Sequence, residues 1–276
     1  MPLERLLLYL TGAFVLACLG VGLLLVTAGK PDGPRAPTEA ASAPPPPPPQ
    51  EAPTPRQRLE ASIAAAPDYA PFLDRLRENF PAEYRSAVDE FATRQGGPAV
   101  GGEATVDAFV SEAVRKLRKA RGVAAARAEP GPLSKIFEAQ RAVLHAIGER
   151  DPRLCVAFLY GGAEMSEFSR FAATRRALVA DMALAGLEAI VNGGAKQIER
   201  PGPTEADFKA LETALAARGL SQEVIGALLD GKMPDPPLED AKMCAAGETY
   251  LETLRSLPEP ARLRIYGLAV EVMARS

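Results

Sequence analysis

From Leu6 to Ala28 the chain reads LLLYLTGAFVLACLGVGLLLVTA, 23 residues without a charge. As an α-helix this run extends roughly 34 Å, enough to cross the hydrocarbon core of a bilayer. A cleaved secretory signal has a shorter apolar region, about 7–15 residues, followed by a small-residue cleavage site. Here the run is longer and ends in Gly29-Lys30-Pro31. Residues 1–28 are therefore expected to be an uncleaved transmembrane signal-anchor, with the lipid bilayer as the partner of residues 6–28. The rival is a lipoprotein signal, with Val15-Leu16-Ala17-Cys18 as a lipobox and Cys18 as the lipidation site. Leu16 is bulky for that motif, and the apolar run continues for ten residues past the cysteine.

Within the span, Ala13, Ala17 and Gly20 recur at i, i+4 and i+7, a small-residue face through which a homodimer can form. Flanking charge is nearly balanced, with Arg5 and the amino terminus on one side and Lys30 and Arg35 on the other. Orientation then rests on the five-residue tail, which is expected to stay cytoplasmic while the rest is exported. Arginine outnumbers lysine 24 to 8, a bias of GC-rich coding that points to a bacterial source. The expected location is a bacterial inner membrane, single-pass, with the C-terminal domain in the periplasm.

Residues 29–55 hold eleven prolines, six of them in succession from Pro44 to Pro49, with few apolar side chains. Such a segment cannot assemble a core and is expected to be a disordered linker. Fully extended as polyproline II it reaches roughly 80 Å. It would hold a folded domain away from the membrane.

Beyond residue 56 the apolar positions repeat with helical period, and hairpin signals, heptads and repeats of 30–45 residues are absent. Residues 56–276 are expected to form an all-α domain, an irregular helical bundle. Phe72, Leu76 and Phe80 form one stripe, and Tyr84, Val88 and Phe91 the next, ending at Gly96-Gly97. Val106, Phe109, Val110, Ala113 and Leu117 mark another, and Ile136, Val143, Leu144 and Ile147 one that begins after Pro132. Ser166 can cap a long helix running through Phe168, Phe171, Val179 and Ile190 to Asn192-Gly193-Gly194. Thr204 and Asp207 form a variant capping box, and Ser221 to Asp230 is a short helix before Gly231. Two further helices run over 238–257 and beyond Pro258-Glu259-Pro260. Leu154 to Tyr160, a continuous apolar run, is either a buried helix or a lone strand.

Composition is neutral about ligands. Thirty-two basic and 35 acidic residues give a net charge of −3, so no nucleic-acid partner is expected. One histidine and two soluble cysteines cannot make the usual zinc constellation, and the phosphate-loop and dinucleotide signatures are missing. No metal or other cofactor is expected. Cys155 and Cys244 are the two cysteines outside the membrane segment, and in an oxidising compartment they are expected to form a disulfide. His145, ten residues before Cys155, allows a nucleophilic Cys–His pair on paper, but an apolar setting suits a packed thiol better. Glu164 and Glu167 have the composition of a paired-carboxylate site and, equally, of first-turn acids at a helix N-terminus.

Arg115, Lys116, Arg118 and Lys119, with Arg121 and Arg127 beyond them, form the basic cluster of the chain and are candidates for an anionic polymer, lipid or other anionic ligand. Glu112 lies four residues before Lys116, as in a solvated, ion-paired helix face. Arg175 falls within the apolar stripe of the long helix, where it can snorkel or hold a buried carboxylate. No catalytic set emerges. The function expected is that of a non-enzymatic envelope interaction or scaffold module, with a carboxylate-based glycan-acting enzyme and anion binding through 115–127 as alternatives.

Overall fold

A computed structural model describes residues 53–95, 106–161 and 166–275. The anchor expected at 1–28, the homodimer face at Ala13, Ala17 and Gly20, and the linker up to residue 52 lie outside the described residues. Among those described, every regular element is helical and no strand occurs. Leu154–Tyr160 is resolved in favour of helix.

The first helix, α1 (Pro55–Ala64), starts earlier than the expected domain boundary. Thr54 accepts from the Gln57 amide and Gln57 reaches back to the Thr54 amide, a capping box with proline at the first helical position. Thr54 and Pro55 therefore belong to the folded domain and not to the linker. A 3-10 turn (Pro67–Tyr69) leads into α2 (Ala70–Asn79) and α3 (Pro81–Gln95). Next come α4 (Val106–Arg121), a 3-10 segment (Gly122–Arg127) and α5 (Pro130–Gly148). Asp151 caps α6 (Pro152–Leu159), and α7 (Ser166–Thr174) and α8 (Arg176–Lys196) follow. The chain closes with α9 (Glu205–Ala217), α10 (Gln222–Asp230), α11 (Asp240–Ser256) and α12 (Glu259–Arg275).

The long helix expected from Ser166 is two helices. Arg175, with φ −137° and ψ 40°, interrupts it. At the other end α8 continues through Gly193 and Gly194 to Lys196, where Gln197 turns left-handed at φ 48°. Gly193 thus has a different task from stopping the helix. A Cβ there would stand 1.9 Å from the Ala124 carbonyl oxygen, so only glycine lets α8 and the 3-10 segment touch. On its other flank that segment meets α12, where a Cβ on Gly122 would lie 2.8 Å from the Ala274 Cβ.

Irregular backbone in an interior needs partners for its polar groups. The side chain of Arg200 donates to the carbonyls of Ala126 and Ala128, and Ile198 N–H donates to the Arg127 carbonyl at 2.9 Å. Asn192 accepts from the Glu129 amide at 2.8 Å and donates to its carboxylate at 3.0 Å. These bonds let α8 pass through the middle of the domain between the 3-10 segment, α5 and α2.

Two apolar cores result. The larger gathers Tyr69, Phe72, Phe109, Leu133, Leu187, Leu211 and Tyr266, among others. The smaller consists of Val143, Leu144 and Ile147 of α5, Leu154, Cys155 and Val156 of α6, Phe168, Phe171 and Ala172 of α7, Val179, Met243 and Cys244. Helix α8 is long and apolar enough to cross a membrane, the one such helix among the described residues. Its Leu187, Ala189 and Ile190 are buried in the larger core.

Candidate functional site

The break at Arg175 places its neighbour, Arg176, over a buried carboxylate. Arg176 Nε and Nη2 each donate at 2.9 Å to the two oxygens of Asp107, which is 1% exposed. Tyr69 Oη donates to the same carboxylate at 2.9 Å. Burial pushes the Asp107 carboxyl up, but the bonds from Arg176 and Tyr69 outweigh it and hold the group below its ordinary range. Burial and the bond to Asp107 push the Tyr69 phenol up. The sequence expectation for Arg175 is not met: Arg175 is exposed at the break, and it is Arg176, which the sequence reading did not single out, that holds the buried carboxylate.

Beside this cluster lies an open cleft of about 620 Å³, walled by Asp68, Ala146, Thr174, Arg175, Arg176 and Leu178, with Ala173 and Ala177 completing the lining. The N-terminus of α8 faces it without a side-chain cap or a first-turn acid. Asp68 is the carboxylate on its wall and Arg176 is already held by Asp107. The cleft can seat a polar or anionic group, and it lacks the converging acids that general acid–base chemistry requires.

The Cys155–Cys244 disulfide joins α6 to α11, with Cα atoms 5.6 Å apart across a sequence separation of 89. Both residues are buried, and a Cβ on Gly148, at the end of α5, would approach Cys244 Sγ to 2.7 Å. A bonded cysteine has no thiolate, so the Cys–His pair is ruled out in this state. His145 is exposed and lies 3.3 Å from Glu248 Oε2 through Nδ1.

Glu164 lies outside the described residues. Glu167 pairs with Arg153 at 3.1 Å and sits in the first turn of α7, a position that complements the helix dipole. No group of three histidines, cysteines or acids with metal-binding geometry occurs among the described residues.

The basic helix α4 packs against α3, and acids meet most of its cations. Glu112, whose side chain is 15% exposed, takes Arg115 at 2.7 Å, Arg94 at 3.3 Å and Lys116 at 3.8 Å. Lys116 also pairs with Glu90, and Arg121 with Glu83 at 2.8 Å. Further along the same helix Arg118 is half-buried and Lys119 exposed. A similar bidentate pair, hidden from the sequence, joins Arg264 of α12 to the capping-box acid Asp207 at 2.8 and 2.6 Å. The Arg264 hydrogen bonds hold the Asp207 carboxyl far below its ordinary range. No family model, curated protein or solved structure matches the chain.

Proposed function

We propose that this chain is a single-pass, membrane-anchored envelope protein whose helical domain is a non-enzymatic interaction module, held by a proline-rich linker in the periplasm of a bacterium. The observation that carries the reading is the buried Cys155–Cys244 disulfide. Thiols in a reducing cytosol stay reduced, whereas an exported domain keeps such a bond. The 23 uncharged residues from Leu6 and the eleven prolines of residues 29–55 supply an anchor and a tether on the same chain. The arginine-walled cleft favours binding over hydrolysis. Anionic polymer or lipid binding through residues 115–127 draws less support, since Arg115, Lys116 and Arg121 already hold carboxylates.

A reporter enzyme active only outside the cytoplasm, fused after residue 55, tests the topology. The fusion is expected to be active, and an inactive fusion of normal abundance refutes the reading. Crosslinking the intact membrane-bound protein, followed by affinity capture, then identifies the partner of the exported domain.

A further inference from the structure

Helices α5, α9, α11 and α12 pack on one another, and each brings an arginine to a shared cluster of charges: Arg141, Arg218, Arg255 and Arg262. Glu252 of α11 stands among three of them. It accepts from Arg255 at 2.8 Å and lies 3.8 Å from Arg141. The Arg255 bond, with the charges of Arg255, Arg141 and Arg218 behind it, holds the Glu252 carboxyl below its ordinary range. At 3.8 Å the Arg141 contact is an ion pair without a hydrogen bond, and Arg141 Nε is buried with no acceptor. Arg218 is exposed and forms no ion pair within 4 Å among the described residues. Arg262 donates to the Arg255 carbonyl at 3.1 Å and to Glu259 at 3.4 Å, while its Nε is also buried with no acceptor. Each guanidinium carries five N–H donors, so one carboxylate cannot satisfy three of them.

Tyr266 of α12 stands against this cluster. Its side chain is 2% exposed, and its ring stacks on Phe137 of α5 with centroids 3.7 Å and planes 9° apart, which fixes where the hydroxyl points. That hydroxyl has no hydrogen-bond partner among the described residues, and it is not sealed from solvent as the two Nε atoms are. The charges that act on it belong to Arg262, Glu138, Arg255 and Glu252. A nearly buried O–H beside guanidiniums with spare donors is short of an acceptor. We infer that Arg141, Arg218 and Arg255, together with the Tyr266 hydroxyl, form a binding site for a phosphate group, either free phosphate or the phosphodiester of a lipid headgroup. The donors come from four helices and do not share a plane, so a tetrahedral oxyanion uses more of them than a flat carboxylate does. Four arginines against Glu138, Glu252 and Glu259 leave one net positive charge, which matches a singly charged phosphate. The inference concerns the folded domain and stands apart from the membrane topology.

Titration calorimetry on the full chain in a neutral detergent, at ionic strength fixed with sodium chloride, tests the site. The probes are inorganic phosphate and, separately, glycerophosphoglycerol, the water-soluble headgroup of phosphatidylglycerol. Saturable binding of at least one is expected, and the tighter of the two identifies the source. Tyr266→Phe removes the hydroxyl and keeps the ring stack, and Arg218→Gln removes an exposed charge. Each should weaken binding by about tenfold or more, as expected for losing a charge-assisted hydrogen bond. Should Tyr266→Phe fail to fold, Arg141→Gln takes its place in the same comparison. The absence of saturable binding by either probe overturns the inference. Wild-type affinity in either variant overturns it equally, because the anion would then be held elsewhere.

Discussion

Replacing Asp107 by alanine removes one acceptor that three donors share. Arg176 loses two bonds of 2.9 Å and Tyr69, which is 0% exposed, keeps a buried hydroxyl with no acceptor. Breaking a buried ion pair by deleting one partner costs about 3–5 kcal/mol. The Arg176 side chain is 36% exposed and regains some water, which puts the expected loss near the lower end. About 3 kcal/mol is a large share of a stability of about 5–15 kcal/mol, and for a domain of this size it lowers Tm by roughly 6–12 °C. Tyr69→Phe removes a single bond to a carboxylate that keeps its arginine, and it should cost about 1.5 kcal/mol. Urea unfolding of both variants and of the double variant supplies the measurement, and the two effects should fall short of additivity because they share one acceptor. A loss below about 1 kcal/mol for Asp107→Ala would refute the argument that this carboxylate anchors α8. The pH dependence gives an independent check. Since the folded state holds Asp107 below its ordinary range, its contribution is complete above the unfolded pKa of about 4 and disappears as pH falls through the folded value. Wild type should therefore lose more stability than Asp107→Ala as pH is lowered from neutrality through that window.

Two neighbouring glycines should respond in opposite directions. Gly193→Ala forces a Cβ to 1.9 Å from the Ala124 carbonyl and is expected to cost about 3 kcal/mol or more, read by thermal melting, whereas a neutral result would mean that the 3-10 segment can move aside. Gly194→Ala meets nothing within 4 Å on an exposed helix position and should stabilise by up to about 1 kcal/mol. Charge reversal of Arg115 and Lys116 sets two acids beside half-buried Glu112 and should lower the urea midpoint, while reversal at Lys119 should leave it unchanged. Equal midpoints for the two reversals would show that the ion pairs of Arg115 and Lys116 contribute nothing.

Much of the helical pattern is written locally. The stripes Phe72–Leu76, Val106–Leu117 and Val143–Ile147 are all buried, because each needs only a 3.6-residue period and a core to face. Caps at Thr204, Ser221 and Asp151 are local too, since each side chain bonds an amide three residues away. The cysteine pairing followed from counting, because the two cysteines outside the N-terminal apolar run have one way to combine. The expected anchor and proline-rich tether rest on composition alone.

Tertiary structure decided what depends on distant chain. Nothing in the sequence singled out Asp107, which is bound in the folded chain by Arg176 from 69 residues away. Nothing in a 3.6-residue period announces that the helix breaks at Arg175 and its phase restarts. Gly193 read as a helix stop because glycine so often follows a last turn, yet its conformation is helical and its purpose is contact with Ala124. For the basic cluster the sequence offered Glu112 as a partner of Lys116, but Glu83 and Glu90, which also answer it, lie on another helix and were not foreseen. The sequence by itself therefore determined most of the helices, the caps at Thr204 and Ser221 and the cysteine pair, all set by interactions within a few residues or by elimination. Only the folded chain decided the buried Asp107 anchor, the glycine crossing and the division into two cores, because those depend on which surfaces meet.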